Sequence, residues 1–477
     1  MGLPDGLVAV VKRDCPTCVL VAPVLSDLAT RAGPRLTVYS QDDPSFPEGV
    51  AVEDDRRLAV SWHHQIETVP TLLRVADGRE VDRTVGWSRD AWERLTEVSG
   101  LGAGLPQQRP GCGSLSVDPD RAGELAARYG SSSLRSRRVE LADAEDEFEA
   151  MFARGWSDGL PLVPPTEGRV VQMLDGISRP AGEVVARVPP ALAEATVEKV
   201  AVNAVIAGCR PEHLPVVIAA LAAACTDEFN LHGVLATTMP VGPVLVVNGP
   251  IRSAAGMNSG INVLGQGNRA NLTIGRALQL VVRNVGEGRP GEVDRATHGN
   301  PGKVGFCFAE DEEGSPWAPL SVERGFEAGT STVTVFAGEG PRCVVDQVSR
   351  HPDSLARSLA ACLRTVHHSK LPMAFDAIVV VGPDHARVFA EAGWSRADLR
   401  DRLIEVSTSP GSELVRGAGG IAEGVPASLA DVDLPKFRPG GIHLVHAGGR
   451  AGLFSMIIAG WVNGPGGSQI VTTEVQP

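Results

Sequence analysis

Apolar positions near the start of the chain fall into two runs of different period. Leu7-Val8-Ala9-Val10-Val11-Lys12 is an unbroken apolar run that reads as a buried strand, and Val19–Ala29 repeats at helical spacing. Arg35–Tyr39 reads as a second strand. Glu67–Arg74, the turn Asp77-Gly78, a further strand and a helix over Ser88–Val98 follow. Leu101–Gly113, rich in Gly, Pro and Gln, reads as a linker.

Beyond residue 140 the pattern alternates. Helices are expected at Asp143–Trp156, Glu167–Leu174, Thr196–Ala207 (capped by Thr196, ended by Gly208), His213–Cys225, Leu272–Val285, Asp353–Leu363, His385–Ala392 and Arg396–Glu405. Strands are expected at Val244–Asn248, Val304–Phe308, Val333–Phe336, Ala377–Val381 and Ile442–His446, with Ala451–Trp461 as a closing helix after a glycine turn. Such alternation predicts an α/β or α+β architecture. The expected domains are residues 1–100, a linker over 101–140, and a large catalytic domain over 141–477 with two lobes dividing near 345.

Composition narrows the class. With 43% hydrophobic and 21% charged residues, the 477-residue chain is neither disordered nor a coiled coil. A net charge of −13, from 44 Lys+Arg against 57 Asp+Glu, speaks against nucleic acid as the main partner. The longest apolar stretch, around Pro215–Cys225, falls short of the roughly 18 residues of a membrane span. The opening residues lack the basic and apolar regions of a signal peptide, so a cytoplasmic location is expected. Oligomeric state is left open.

Eight cysteines are too few for a disulfide scaffold, and only Cys15 and Cys18 are closely spaced. Their CxxC opens a helix, where backbone N–H groups and the helix dipole stabilise a thiolate. Cys15 is therefore expected to be the low-pKa nucleophile and Cys18 the resolving thiol. A structural zinc site needs a second pair, which the chain lacks. Cys112, flanked by glycines, is a candidate redox relay. Cys209, Cys225, Cys343 and Cys362, in apolar runs, are expected to pack in the core.

Residues 5–100 resemble the thioredoxin superfamily: Cys15-Pro16-Thr17-Cys18 matches its active-site turn, Thr68-Val69-Pro70-Thr71 its cis-proline loop and Asp77-Gly78 its last hairpin. The resemblance implies a cis Pro70 beside Cys15, with backbone meeting the partner disulfide, and a thiol reductant system as partner. Asp14 replaces the usual Trp, and no room exists before Leu7 for the family's first strand and helix. That departure points to a trimmed, dedicated donor. Residues 140–477 suggest no family.

In the large domain, glycine and polar punctuation is densest from His232 to Trp317. Glycines before the helix at Leu272, with Arg252, Arg269 and Arg276 and the amides of Asn258 and Asn271, suggest a site for an anionic small-molecule substrate. Neither a Walker A nor a Rossmann glycine pattern is present. His298, Cys307 and Glu310 surround one strand and are candidate acid/base and nucleophilic groups. His232 joins them as a further acid/base candidate or a ligand of a divalent metal, although no ligand spacing marks a site. Together these features suggest a two-part thiol-redox enzyme with a Cys15/Cys18 dithiol. A hydrolase or lyase, metal-assisted or not, with an accessory redox module is the first alternative. A non-enzymatic disulfide-exchange or chaperone-like protein is the second.

Overall fold

The computed structural model describes residues 2–31, 35–130, 134–139, 141–142 and 145–476. Two units are present: Met1–Ser133 with Thr166–Val171, and Leu134–Pro165 with Gln172–Pro477. The expected helix start at residues 143–144 lies outside the described residues; the helix runs over Glu147–Ala153, where Asp146 caps it.

In the first unit the elements run β1 (Gly6–Val11), α1 (Pro16–Thr30), β2 (Leu36–Ser40), β3 (Val52–Asp54), α2 (Ala59–His63), β4 (Thr68–Val69), β5 (Thr71–Ala76), β6 (Arg79–Val85), β7 (Trp87–Ser88), α3 (Arg89–Thr96), β8 (Gln108–Arg109), β9 (Cys112–Gly113) and α4 (Pro119–Tyr129). Five strands form one sheet in the order β3-β2-β1-β5-β6. The continuous apolar run of β1 makes it the central strand, parallel to β2 and antiparallel to β5. Its residues Leu7–Val11 are all at most 2% exposed, the signature of a strand covered on both faces. The Asp77-Gly78 turn has positive φ at both residues, as a tight hairpin between β5 and β6 requires.

The stretch expected to be a flexible linker is instead built into this unit. Gln108–Arg109 pairs with Trp87–Ser88, and Cys112–Gly113 pairs with Thr68–Val69. Trp87 donates its indole N–H to the Pro106 carbonyl at 2.7 Å, and the Arg89 amide donates to Gln107. Its Gly and Pro content serves close backbone approach: a Cβ at Gly111 would lie 2.4 Å from Thr68 Cγ2 and 2.7 Å from the Val69 carbonyl oxygen. Composition marks a departure from helix and strand periodicity, and it cannot distinguish a free tether from a strap tied down by backbone pairing.

The second unit is organised by an eight-stranded mixed sheet. Six strands lie in the order Cys307–Ala309, Gly242–Asn248, Thr332–Gly338, Phe454–Val462, Phe375–Val381 and Ile442–His446, with Arg342–Val345 and Val471–Glu474 added at its middle. Parallel pairing joins the two strands at one end and the two at the other. Helices Val197–Ala207, Leu214–Ala224 and Arg269–Asn284 pack together, and Pro352–Leu363 packs on Arg396–Ser407. The core includes Leu355, Leu359, Leu399 and Leu403 from the latter pair, Phe389 from the helix Pro383–Glu391, and Val246, Phe308 and Ile458 from the sheet.

Two expectations are corrected here. Ala451–Trp461 does not form a helix; Phe454–Val462 is a strand paired with Arg342–Val345 on one side and Phe375–Val381 on the other. Short apolar runs satisfy helix and buried strand alike, and two neighbours needing backbone partners decide for strand. The same pairing carries the sheet across residue 345, where a boundary between lobes was expected. Among the described residues, no helix is long and apolar enough to cross a membrane.

Candidate functional site

Three cysteines gather at the start of α1. Cys15 is the N-cap residue, in extended conformation, and its Sγ accepts the Cys18 backbone N–H at 3.4 Å. Pro16 follows as the first helical residue, where its missing N–H costs nothing. The Val69–Pro70 peptide is cis, and as a thiol Cys15 donates to the Val69 carbonyl at 3.5 Å. Cys112 stands opposite Val69 in the β4–β9 pair and packs against the core that contains both Cys15 and Cys18.

The electrostatics separate the three thiols. Hydrogen bonding from the Cys18 thiol, the largest cause, together with the Cys112 thiol and the Cys18 and Thr17 amides, outweighs burial and lowers Cys15 to about 5. Cys18 is driven strongly upward by burial and by its bond to Cys15, so it stays protonated. Burial and the neighbouring Cys15 likewise raise Cys112. The arrangement favours ionisation of Cys15 and keeps Cys18 and Cys112 as thiols. Cys15 is 1% exposed.

The strap is fixed close to the site. Thr17 Oγ1 donates to the Pro110 carbonyl at 2.7 Å and Lys12 Nζ to the Gly113 carbonyl at 2.9 Å. The Ser114 amide donates to Glu67, and buried Gln41 bridges Ser61, Ser114 and the Leu115 amide. Sequence reasoning passed over Thr17, Lys12 and Gln41, since each acts through partners about 70 to 100 residues away, though Gly111-Cys112-Gly113 was visible. Exposed His63 packs edge-on against Tyr129 at 5.4 Å.

The candidate residues of the second unit are spread apart. The three arginines expected to neutralise an anion are occupied by protein acceptors. Arg252 binds the Gly249 and Glu310 carbonyls and the Glu312 and Glu313 carboxylates. Arg276 forms a fork with Asp158, at 2.7 and 2.8 Å, and Arg269 donates to the Gly208 and Cys209 carbonyls. Arg252 and Arg276 are thus paired with carboxylates, while exposed Arg269 is held by two backbone carbonyls. Asn258 and Asn271 do meet, but only through the Asn271 side-chain amide, which accepts from the Asn258 backbone N–H and donates to the Asn258 carbonyl.

Glu310 is fully buried, with both carboxylate oxygens occupied: Asn248 Nδ2 and the Leu320 amide at 2.7 Å on one, Arg396 Nη2 at 2.8 Å on the other. Its acid/base candidacy is replaced by the role of a hub that joins strand ends to two helices. Cys307 is buried and its thiol is pushed up by desolvation, so it packs as an apolar residue rather than serving as a nucleophile. His298 is exposed on a loop, and exposed His232 borders a separate cavity of about 620 Å³ with Pro190, Cys225 and Asn230. Among the described residues, no three His, Cys, Asp or Glu side chains gather to hold a metal ion. Cys209 is buried and Cys225 half-buried, but Cys343 and Cys362 are exposed because they face outward from a strand and a helix. A second cavity, about 590 Å³, is lined by Trp317, Glu323, Trp394 and Arg396.

Fold and thiol cluster together define a protein with a thioredoxin-like region at its N-terminal end joined to a large α/β region. A thioredoxin of Mycolicibacterium smegmatis is 35% identical over 72 residues, which are 15% of this chain and 56% of that protein. A thioredoxin of Mycobacterium bovis shows the same identity over 53% of its length, and thioredoxin H-type 1 of Nicotiana tabacum is 29% identical over 76 residues, 51% of its length. The chain thus spans about half the length of the curated relatives it matches. No family model matches the chain.

Proposed function

We propose that the N-terminal unit is a thiol–disulfide oxidoreductase module in which Cys15 attacks a partner disulfide and Cys18 resolves the mixed disulfide. The observation that carries this reading is Cys15 at a helix N-cap, its sulfur accepting the Cys18 backbone N–H at 3.4 Å beside the cis Val69–Pro70 peptide, an arrangement that lowers its pKa to about 5. At neutral pH Cys15 is a thiolate ready to attack. Burial is the larger cause that raises Cys18, and the bond of Cys15 to the partner sulfur removes the second, its bond and charge from Cys15; Cys18 then gives up its proton, attacks Cys15 and releases the partner's second thiol. Two electrons pass to the partner and the module is left as the Cys15–Cys18 disulfide, which a cellular thiol reductant restores. A reducing compartment such as the cytoplasm suits this cycle.

The test is reduction of insulin disulfides by dithiothreitol with the full chain as catalyst. Wild type is expected to accelerate the reaction and Cys15→Ser to abolish the acceleration. Cys18→Ser is expected to lose turnover while accumulating a mixed disulfide at Cys15. Retention of full catalysis by Cys15→Ser sinks the reading.

A further inference from the structure

We propose that Cys112 is a third redox-active thiol of this centre and forms a disulfide with Cys15 inside the same chain. The inference rests on the reading of Cys15 as the nucleophile and adds the partner that the chain itself supplies. Its basis is geometric. Pairing of β9 with β4 sets Cys112 opposite Val69, whose carbonyl oxygen is 3.5 Å from the Cys15 sulfur. The strap carrying Cys112 is tied at Pro110, Gly113 and Ser114 by Thr17, Lys12 and Glu67. Cys15 itself is 1% exposed. An outside disulfide meets almost no exposed surface of Cys15, whereas Cys112 is already beside it. A sulfur held there has a far higher effective concentration than any free thiol.

The exchange needs no added oxidant. Starting from the Cys15–Cys18 disulfide, Cys112 loses its proton and attacks the Cys15 sulfur. The Cys112–Cys15 bond forms, the Cys15–Cys18 bond breaks, and its electron pair leaves with Cys18, which takes up the proton. The chain stays at the same oxidation level. Attack by Cys18 on Cys15 reverses the step. When Cys15 instead carries an outside thiol, Cys112 displaces that thiol by the same chemistry. The Cys15–Cys112 bond then locks the strap over the site, and its reduction releases the strap.

The experiment treats reduced full-length Cys18→Ser with oxidised glutathione, quenches it with an alkylating agent under denaturing conditions, and maps disulfide-linked peptides by mass spectrometry. The expected product is the Cys15–Cys112 linkage, with glutathione released, while Cys18→Ser/Cys112→Ala keeps glutathione on Cys15. A stable Cys15–glutathione adduct in both variants overturns the inference and leaves the nucleophile reading standing. Cys15 unmodified in both defeats the two together. Should Cys18→Ser fail to fold, the wild type oxidised in the same way decides: a Cys15–Cys112 peptide beside Cys15–Cys18 supports the inference, and its absence overturns it.

Discussion

Cys15 and Cys18 show how much a three-residue spacing can carry at the scale of single residues. Placing a cysteine at the N-cap of a helix that begins with proline is enough to put a sulfur over free N–H groups. The sequence therefore points to Cys15 as the cysteine whose ionisation the helix start favours. It could not indicate that a second thiol, Cys112, donates to the same sulfur, because that contact spans 97 residues (112 − 15) and depends on backbone pairing. Absorbance of the thiolate at 240 nm, taken as wild type minus Cys15→Ser, is expected to titrate with a midpoint of about 5. Cys18→Ala should move that midpoint up by more than Cys112→Ala does, since the Cys18 bond is the larger cause. A wild-type midpoint near the ordinary thiol value would contradict the geometry. The sign for stability follows from the lowered value. The reduced fold gains stability as pH rises from about 5 toward the unfolded thiol's 9 and loses that gain as pH falls through 5.

Elements were legible where period and length agreed. The helices at 197–207, 214–224 and 352–363 and the strands at 242–248 and 375–381 are where apolar periodicity and caps place them. Two failures share one cause. The 101–113 stretch and Phe454–Val462 take their structure from hydrogen-bonding neighbours far along the chain, and local pattern holds no record of those neighbours. The strap can be tested through its glycines. Gly111→Ala brings a Cβ to 2.4 Å from Thr68 Cγ2, whereas a Cβ at Gly113 meets nothing within 4 Å. Gly111→Ala is expected to speed alkylation of Cys112 and hydrogen exchange of the Ser114 amide several-fold, and Gly113→Ala to leave both near wild type. Equal rates in the two variants would show that the strap is not held by close backbone approach.

Across the whole molecule, the buried charges of the large unit act as fasteners. Glu310 and Arg396 pair inside it, with side chains 0% and 9% exposed, and the carboxylate also receives Asn248 and the Leu320 amide. Removing one partner strands the other in a medium that solvates it poorly. Glu310→Ala is therefore expected to cost about 3–5 kcal/mol in urea unfolding, and Glu310→Gln less, because an amide oxygen can still accept from Asn248 or Leu320. A loss below about 1 kcal/mol, the range of exposed pairs, would refute a fastening role. Acid should act on the same unit through histidines. Burial lowers His213 and His443 to about 4, so the unfolded chain takes up their protons from pH 6.5 downward while the folded chain does not. Stability should fall between pH 6.5 and 4, and His443→Gln should flatten that fall in thermal melts. An unchanged slope in the variant would count against the burial of that ring.

By itself, the sequence determined the alternation of helices and strands, the thioredoxin-like order of CxxC, proline loop and hairpin, and the place of Cys15 at a helix start. Each depends on residues near one another in the chain, where periodicity, capping and turn chemistry act. Only the tertiary structure decided that Cys112 stands opposite Val69 beside the dithiol, that the candidate arginines are held by Asp158, Glu312, Glu313 and backbone carbonyls, and that Glu310 is a buried hub. Those outcomes depend on which distant groups meet once the core closes. A charge written in sequence is free to bind a ligand or to satisfy the fold, and burial beside a complementary partner settles which.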